Sequence, residues 1–328
     1  MKTLVIQIPC LNEAATLPAT LADLPTAVPG IDRIEVVVID DGSTDDTAAV
    51  AHAHGVRHVV RFRRRKGLAA AFAAGLDTSL RIGADVIVNT DADNQYPGRD
   101  IVRLVEPILA GQADIVIGDR NIRDVRHMSW QKKLLQRVGS WVVRQVSGTA
   151  VPDTTSGFRA YTREAALRVT IVSDFSYTLE SIIQAGKQRL AVAHVAIGSN
   201  PRTRPSRLFD NVFSYVKRSA ATIVRVYAMY EPLKVFTYIG SVVFLAGFAI
   251  SLRFLYFYFF TPYDAGKVQS LILSAVLMIV GFQVVLIGLL ADVIAGTRKL
   301  LDDLLYRVRS MELRDRRRDP DGSGGEDR

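Results

Sequence analysis

Two apolar stretches in the C-terminal third, residues 233–260 and 268–295, each exceed the roughly 20 residues a helix needs to cross the hydrocarbon core of a bilayer. Only a short polar connection, 261–266, and Lys267 lie between them, so the pattern predicts a transmembrane hairpin. Basic residues predict its orientation. Arg202, Arg204, Arg207, Lys217, Arg218, Arg225 and Lys234 precede the first span, and Arg298, Lys299, Arg307, Arg309 and Arg314 follow the second. Lys267 is the one base in or beside the connection, so the positive-inside rule places both termini and the N-terminal region in the cytoplasm. The expected location is the cytoplasmic (inner) membrane, as a multi-pass protein.

The remaining sequence sorts around that hairpin. Of 328 residues 49% are hydrophobic, enough for one large domain and an appendage, and up to about residue 199 the chain reads as a soluble α/β protein. The expected boundaries are a soluble domain over 1–205, amphipathic juxtamembrane helices over 206–232, the hairpin over 233–297 and a basic tail over 298–328. In the juxtamembrane part Phe209, Val212, Phe213, Val216, Ile223 and Val226 alternate with Lys217, Arg218 and Arg225, which suits helices lying in the membrane interface or covering the soluble domain. From Arg314 onward the chain is charged and Gly/Ser-rich and is expected to be disordered. The apolar run up to Cys10 is too short for a signal peptide, and a single cysteine fits a reducing compartment and excludes an intrachain disulfide. A net charge of +8 could signal nucleic acid. Most of the clustered bases flank the apolar spans, where anionic headgroups attract them, so no nucleic-acid partner is expected. The exception is Arg61, Arg63, Arg64, Arg65 and Lys66 beside Gly67, either a solvated charge run or a contact to a substrate phosphate.

Within the soluble region, near-continuous β-branched runs at 3–8, 34–39 and 85–90 have the pattern of parallel strands buried on both faces. Helical segments are expected over 15–24 and 46–54, the second with Ser43 or Thr44 as N-cap. Such βαβ alternation gathers polar residues at the carboxyl ends of the strands, the edge where open α/β sheets bind ligands. The third run ends in Asp91-Ala92-Asp93-Asn94-Gln95. In an extended chain Asp91, Asp93 and Gln95 share a face and can converge on one hard divalent cation, leaving positions open for phosphate oxygens; the alternative is a solvated turn.

Six motifs occur in order: Pro9-Cys10-Leu11-Asn12-Glu13, Asp40-Asp41-Gly42-Ser43-Thr44-Asp45, Gly67-Leu68-Ala69-Ala70-Ala71 with Gly75-Leu76, Asp91-Ala92-Asp93-Asn94-Gln95-Tyr96-Pro97, Gly118-Asp119-Arg120 and Ser156-Gly157-Phe158-Arg159. The chain thereby resembles family 2 glycosyltransferases of the dolichol-phosphate mannose synthase type, including bacterial polyprenyl-phosphate glycosyltransferases with a transmembrane hairpin. The resemblance implies a GT-A fold, a Rossmann-like sheet holding a nucleotide sugar at its carboxyl edge. It implies that Pro9, Leu11 and Glu13 line the nucleoside pocket and that Asp40 or Asp41 bonds base or ribose, against the alternative that both only shape a turn. It further implies that Asp91, Ala92 and Asp93, with Lys66, belong to the donor site, and that Asp91, Asp93 and Gln95 hold Mg2+ or Mn2+. Asn94 departs from the pattern, since relatives commonly carry an apolar residue there.

The implied acceptor is polyprenyl phosphate, whose oxygen is already anionic near neutral pH, so a strong general base is not required. Arg120, Arg202 and Arg204 are candidates to clamp the acceptor phosphate, with Lys132 or Lys133 behind them. Asp153 matches a family aspartate that acts as base or orienting group, or else forms a turn. Glu180 faces either the sugar or solvent. The implied reaction is a metal-dependent, inverting single displacement using a UDP-glucose or GDP-mannose class donor. Other implied partners are membrane lipid, a separate flippase and further copies of the chain packed through the hairpins. A different lipid or glycan acceptor, or a non-catalytic membrane scaffold, are the alternatives; the presence of Asp91, Asp93 and Arg120 argues against the scaffold. A processive synthase would need a Gln-x-x-Arg-Trp motif, which is missing here. The histidines show no metal-ligand spacing.

Overall fold

The computed structural model describes residues 1–120, 130–172, 177–200, 230–260 and 268–318, with 221, 224, 225, 227 and 228 besides. Its chain forms two compact units, one of Met1–Ile223 with Tyr306–Arg328 and one of Val224–Leu305.

In the first unit β1 (Thr3–Cys10) is buried along its whole length. Leu4, Ile6 and Ile8 enter an apolar core with Val38, Val88, Ile101 and Leu104 on one face of the sheet. β2 (Arg33–Asp40) and β4 (Val86–Asn89) pair with it in parallel, and β3 (His58–Arg61) pairs with β2. Helices α1 (Leu17–Asp23), α2 (Thr47–Ala53), α3 (Leu68–Arg81) and α4 (Asp100–Leu109) follow these strands in turn. This is the alternation that continuous β-branched runs require when both sheet faces are covered.

Beyond β4 the pattern changes. β5 (Ile115–Asp119), α5 (Trp130–Ser147), β6 (Arg159–Thr162), α6 (Arg163–Arg168), α7 (Tyr177–Lys187) and β7 (Val192–Ala196) complete a seven-stranded sheet of order β3-β2-β1-β4-β6-β5-β7. β6 runs antiparallel between β4 and β5, while β5 and β7 are parallel. The expected α/β class is thus found as a GT-A, Rossmann-like arrangement whose sheet is mixed. Placing β6 antiparallel lets the loop before it, 153–158, reach the same edge as the ends of β1, β2 and β4.

α2 begins without the expected Ser43 or Thr44 cap. Asp46 holds the cap position, and the Ser43 hydroxyl instead accepts from the Asn12 amide at 2.9 Å. A hydroxyl that stitches two strand-end loops together is thereby withdrawn from the helix.

The second unit is a helical hairpin of α8 (Pro232–Phe260) and the first part of α9 (Val268–Arg318). Small residues make the seam. A Cβ on Gly240 would lie 2.6 Å from the Gly281 carbonyl, and one on Gly288 would lie 2.7 Å from Phe236 Cβ. Ser274 Oγ donates to the Gly247 carbonyl at 2.8 Å, so the buried hydroxyl is satisfied across the pair. Close backbone approach of this kind is how apolar helices gain dispersion contact where no hydrophobic force separates helix from lipid. Both helices are long and apolar enough to cross a membrane. Arg253 packs over Phe257, 5.8 Å from its ring centroid. Register keeps Arg253 and Asp292 apart: Gly288 sits at the level of Phe236, roughly 25 Å along α8 from Arg253.

The end of α9 belongs to the first unit. Arg309 Nη1 donates to the Leu167 carbonyl at 3.4 Å, Arg168 lies 4.5 Å over the Tyr306 ring, and Leu313 is buried. The tail expected to be disordered from Arg314 is helical to Arg318, as its four arginines, good helix formers, favour, and 319–328 lie outside the described residues. The juxtamembrane segment 206–220 lies outside the described residues.

Candidate active site

Two strand ends turn through left-handed asparagines. Asn12 after β1 has φ 55° and Asn94 after β4 has φ 51°, a conformation Asn tolerates better than any residue but Gly. The Asn12 side chain accepts from the Thr44 amide at 2.8 Å, tying the first motif to the second. Pro9 and Cys10 are buried, Leu11 is half-buried, and Glu13 is buried with its carboxylate accepting from Thr16 Oγ1 at 2.6 Å. Burial, reinforced by the carboxylates of Glu13, Asp40, Asp45 and Asp91, pushes the Cys10 thiol well above its ordinary pKa, so it offers no nucleophile.

Asp40 and Asp41 are both buried, and both serve the protein's own backbone. Asp40 Oδ1 accepts from the Ser43 amide at 2.8 Å, and its Oδ2 lies 3.2 Å from Arg61 Nε. Asp41 accepts from the amides of Lys66 at 2.6 Å and Gly67 at 2.9 Å, and so closes the N-terminus of α3. Gly42, at φ 72°, completes this joint: a Cβ there would be 2.7 Å from the Arg65 amide. Lys66 itself lies over the Phe62 ring, its Nζ 4.7 Å from the centroid.

The 91–95 segment is a turn. The expected extended face is replaced by a reversal at Asn94 that brings Gln95 back onto Asp93, donating Nε2 to Oδ2 at 2.6 Å. The structure joins Gln95 to Asp93, with Gln95 steadying that carboxylate through its backbone amide as well, and it sets Asp91 beside Gly157 while Ala92 is buried. Among the described residues no three His, Cys, Asp or Glu side chains converge, so a cation here would have Asp91 and Asp93 as its candidate carboxylates. That pair fits Mg2+ or Mn2+, hard ions that take one or two carboxylates and complete their shell with phosphate and water.

The 153–158 loop closes the other side. A Cβ on Gly157 would fall 3.1 Å from Asp91 Oδ1 and 2.9 Å from the Tyr177 hydroxyl, so only glycine lets the loop lie against the Asp91 carboxylate. Tyr96 Oη accepts from the Gly157 amide at 3.2 Å, and Asn89, buried at the end of β4, donates to the Gly157 carbonyl at 2.8 Å. Asp153, with no exposed side-chain surface, grips Arg120 through two bonds, Nε to Oδ2 at 2.7 Å and Nη2 to Oδ1 at 3.1 Å. Arg120 also donates to Thr155 Oγ1 at 3.0 Å and keeps 24% of its side chain exposed. Burial alone would raise the Asp153 carboxyl, but the Arg120 guanidinium and the bonds from Arg120 and Thr155 more than offset it and hold the pKa below its ordinary value. A carboxylate held that way is a poor proton acceptor and a firm brace.

Arg159 of the same motif has a different part. It is fully buried, donating to the carbonyls of Ser156 at 2.7 Å, Thr154 at 2.9 Å and Thr178 at 2.8 Å and to Ser181 Oγ at 2.8 Å. It fastens the loop to α7, a role that the motif alone did not reveal. Glu180, expected at sugar or solvent, is buried and accepts from the Val172 amide at 3.1 Å. Arg202 and Arg204 lie outside the described residues, as do the side chains of Lys132 and Lys133. Asn200, just before them, donates Nδ2 to the Asn94 carbonyl at 2.9 Å and its amide to the Gln95 carbonyl at 2.9 Å, a link no sequence signal announced.

Residues 5–170, just over half of the chain, match the glycosyl transferase family 2 profile, and residues 231–297 match the GtrB C-terminal hairpin. The chain belongs to glycosyl transferase family 2. It is 30% identical over 322 residues to the undecaprenyl-phosphate 4-deoxy-4-formamido-L-arabinose transferase of Sodalis glossinidius, covering 93% of this chain and 91% of that one. It is 34% identical over 177 residues to the polyprenol monophosphomannose synthase of Mycolicibacterium smegmatis, covering 52% of this chain and 65% of that relative's length. Glucosyl-3-phosphoglycerate synthase from Mycobacterium tuberculosis, solved with Mn2+, UDP-glucose and phosphoglyceric acid, superposes with a TM-score of 0.56 at 26% identity, over 69% of this chain and 80% of that one.

Proposed function

We propose that the protein is a membrane-bound glycosyltransferase that moves a hexose from a nucleotide sugar of the UDP-glucose or GDP-mannose class to polyprenyl phosphate. The observation that carries this reading is the contact of Asp91 with Gly157: it joins the carboxylate pair to the loop whose Asp153 braces Arg120. A site for a metal-bound diphosphate and a guanidinium for a second phosphate thus share one edge. Relatives named for undecaprenyl phosphate and polyprenol support the acceptor, and the neighbour solved with UDP-glucose and Mn2+ supports the donor class and the ion.

In this reading Asp91 and Asp93 hold Mg2+ or Mn2+, with Gln95 fixing the Asp93 rotamer. The ion, when bound, neutralises charge on the departing nucleoside diphosphate. Pro9, Leu11 and Glu13 border the nucleoside. Arg120 binds the acceptor phosphate, and Asp153 positions Arg120 without taking a proton. The acceptor oxygen is anionic already, so positioning and charge neutralisation supply the acceleration. Direct attack on an α-linked donor inverts the anomeric centre. The Lys and Arg distribution about the hairpin supports a site on the cytoplasmic face.

The test is transfer from UDP- and GDP-sugars to polyprenyl phosphate by the full chain in lipid nanodiscs, with and without Mg2+ or Mn2+, followed by NMR of the product. Metal-dependent labelling by one donor with a β-linked product supports the proposal. A retained linkage removes the single displacement, and no lipid labelling by any donor removes the acceptor.

A further inference from the structure

The loop that leaves β3 carries Arg63, Arg64, Arg65 and Lys66, all exposed. None of the four pairs with a carboxylate among the described residues. Like charges packed on consecutive residues repel, and a flexible loop would relieve this by spreading. This loop is fixed. The Phe62 amide donates to the Asp40 carbonyl at 2.9 Å, Asp41 takes the amides of Lys66 and Gly67, and Gly42 admits the Arg64–Arg65 backbone where a Cβ would clash at 2.7 Å. Asp40 and Asp41, the acids best placed to neutralise the arginines, are buried and turned onto other partners.

The donor diphosphate is not the natural partner of these arginines. The carboxylate pair that would meet its metal follows β4, and β3 and β4 are separated in the sheet by β2 and β1. Three strand spacings put the two strand ends roughly 14 Å apart. The backbone anion site at the start of α3 is already filled by the Asp41 carboxylate, leaving only the side chains to bind an anion. The requirement of the proposed reaction supplies one. In that reading the acceptor phosphate would come from the level of the lipid headgroups and would have to reach the carboxyl edge of the sheet, the edge on which the β3 loop stands.

We infer that Arg63, Arg64 and Arg65 form a rigid docking surface for anionic phospholipid headgroups, with Asp41 and Gly42 as the residues that hold it in shape. This rests on the lipid-acceptor reading above. Docking would set the reach of the catalytic edge to the acceptor by charge as well as by the hairpin, making transfer sensitive to the anionic lipid content of the membrane.

The experiment uses the full chain in nanodiscs. Cys10 is buried, so an Arg64→Cys substitution gives one reactive site for an environment-sensitive fluorophore, read by quenching from a nitroxide placed on a lipid headgroup. Expected is strong quenching in phosphatidylglycerol discs, weak quenching in phosphatidylcholine discs, and loss at 0.5 M NaCl, roughly the behaviour of polybasic segments at anionic surfaces. Adding Arg63→Glu and Arg65→Glu should lower the docked-to-undocked ratio by at least about tenfold, each base being worth roughly fivefold at such a surface. Arg63→Gln with Arg65→Gln gives the same sign should the reversed pair fail to fold. Quenching that ignores lipid charge, or that UDP or GDP abolishes, overturns the docking surface, the second by assigning the loop to the donor. Turnover measured in the same discs separates the two readings: sugar transfer without headgroup quenching sinks the docking alone, whereas absence of transfer with any donor sinks the function.

Discussion

The two halves of the sheet are built on different principles. On the β1–β2–β4 side, site residues sit at the ends of parallel strands and are fixed by turn chemistry: Asn12 to Thr44, Ser43 to Asn12, Asp41 to Lys66 and Gly67. On the β6–β5–β7 side, one antiparallel strand and two arginines do the positioning, Arg159 from within the protein and Arg120 from its surface. In the proposed function, backbone turns would fix the shape of the edge that meets the nucleotide. A braced guanidinium provides a charge that can meet a mobile lipid phosphate. The difference suits a donor that is soluble and uniform and an acceptor that arrives from a membrane.

The largest effect should separate chemistry from stability on the first side. Asp93→Ala should lower transfer by at least about 10²–10³-fold, the scale on which loss of preorganised charge stabilisation acts. Because Asp93 is half-exposed and bonded within its own turn, the melting temperature should stay within a degree or two of the unsubstituted chain. Initial rates beside thermal melts check this. A large drop in melting temperature would show that the turn, and not the ion, is what the carboxylate serves.

On the other side the two arginines should part company. Arg159→Leu strands three buried carbonyls and a hydroxyl and should cost about 3 kcal/mol or more in denaturant unfolding. Lys cannot reproduce the fork and should rescue little. Arg120→Lys, which keeps a cation beside the buried Asp153, should cost less stability than Arg159→Leu and raise the KM for polyprenyl phosphate. Equal stability losses at both positions would erase the distinction between brace and clamp.

Asp153 sharpens the same contrast through pH. Its carboxyl is held below the ordinary range, so as the pH falls the unfolded chain takes up that proton first, near pH 4. Between that point and the lower folded value the unfolded state binds more protons, and stability rises with pH. The contribution is therefore complete above about pH 5 and is lost as the pH drops through the folded pKa. Asp153→Asn should flatten that acid limb in pH-dependent unfolding. It should add no ionisation to the rate profile between pH 6 and 8, whereas a general base there would leave one.

Legibility in the sequence followed the same division. Strands at β1, β2 and β4 announce themselves by near-continuous β-branched runs, and the contacts of the residues after them are mostly between neighbouring strand ends, although the turn at Asn94 and the cap of α2 are not legible. β6 is four residues long and carries Arg159 and Thr162, with no period that distinguishes an antiparallel insertion from a loop. The Arg120–Asp153 pair joins positions 33 residues apart, and the Asn200–Asn94 bond joins positions 106 apart. Spacing along a chain carries no record of such contacts. Glu180 misled for a related reason: a carboxylate on a helix reads as exposed unless the sequence reveals which backbone amide will bury it.

The smallest predicted effect concerns the departure at Asn94. A left-handed residue with a Cβ costs roughly 1–2 kcal/mol unless it is Asn, Asp or Gly. Asn94→Leu should therefore destabilise the chain by about 1 kcal/mol, and Asn94→Gly should be near neutral. Their effect on metal dependence is the sharper reading. The reversal at Asn94 is what returns Gln95 to Asp93, so Leu should raise the Mn2+ concentration needed for half-maximal transfer severalfold, while Gly should leave it almost unchanged. If Leu behaves as Gly does, the carboxylates are set by β4 and the 153–158 loop, and long-range packing shapes the donor side as it does the acceptor side.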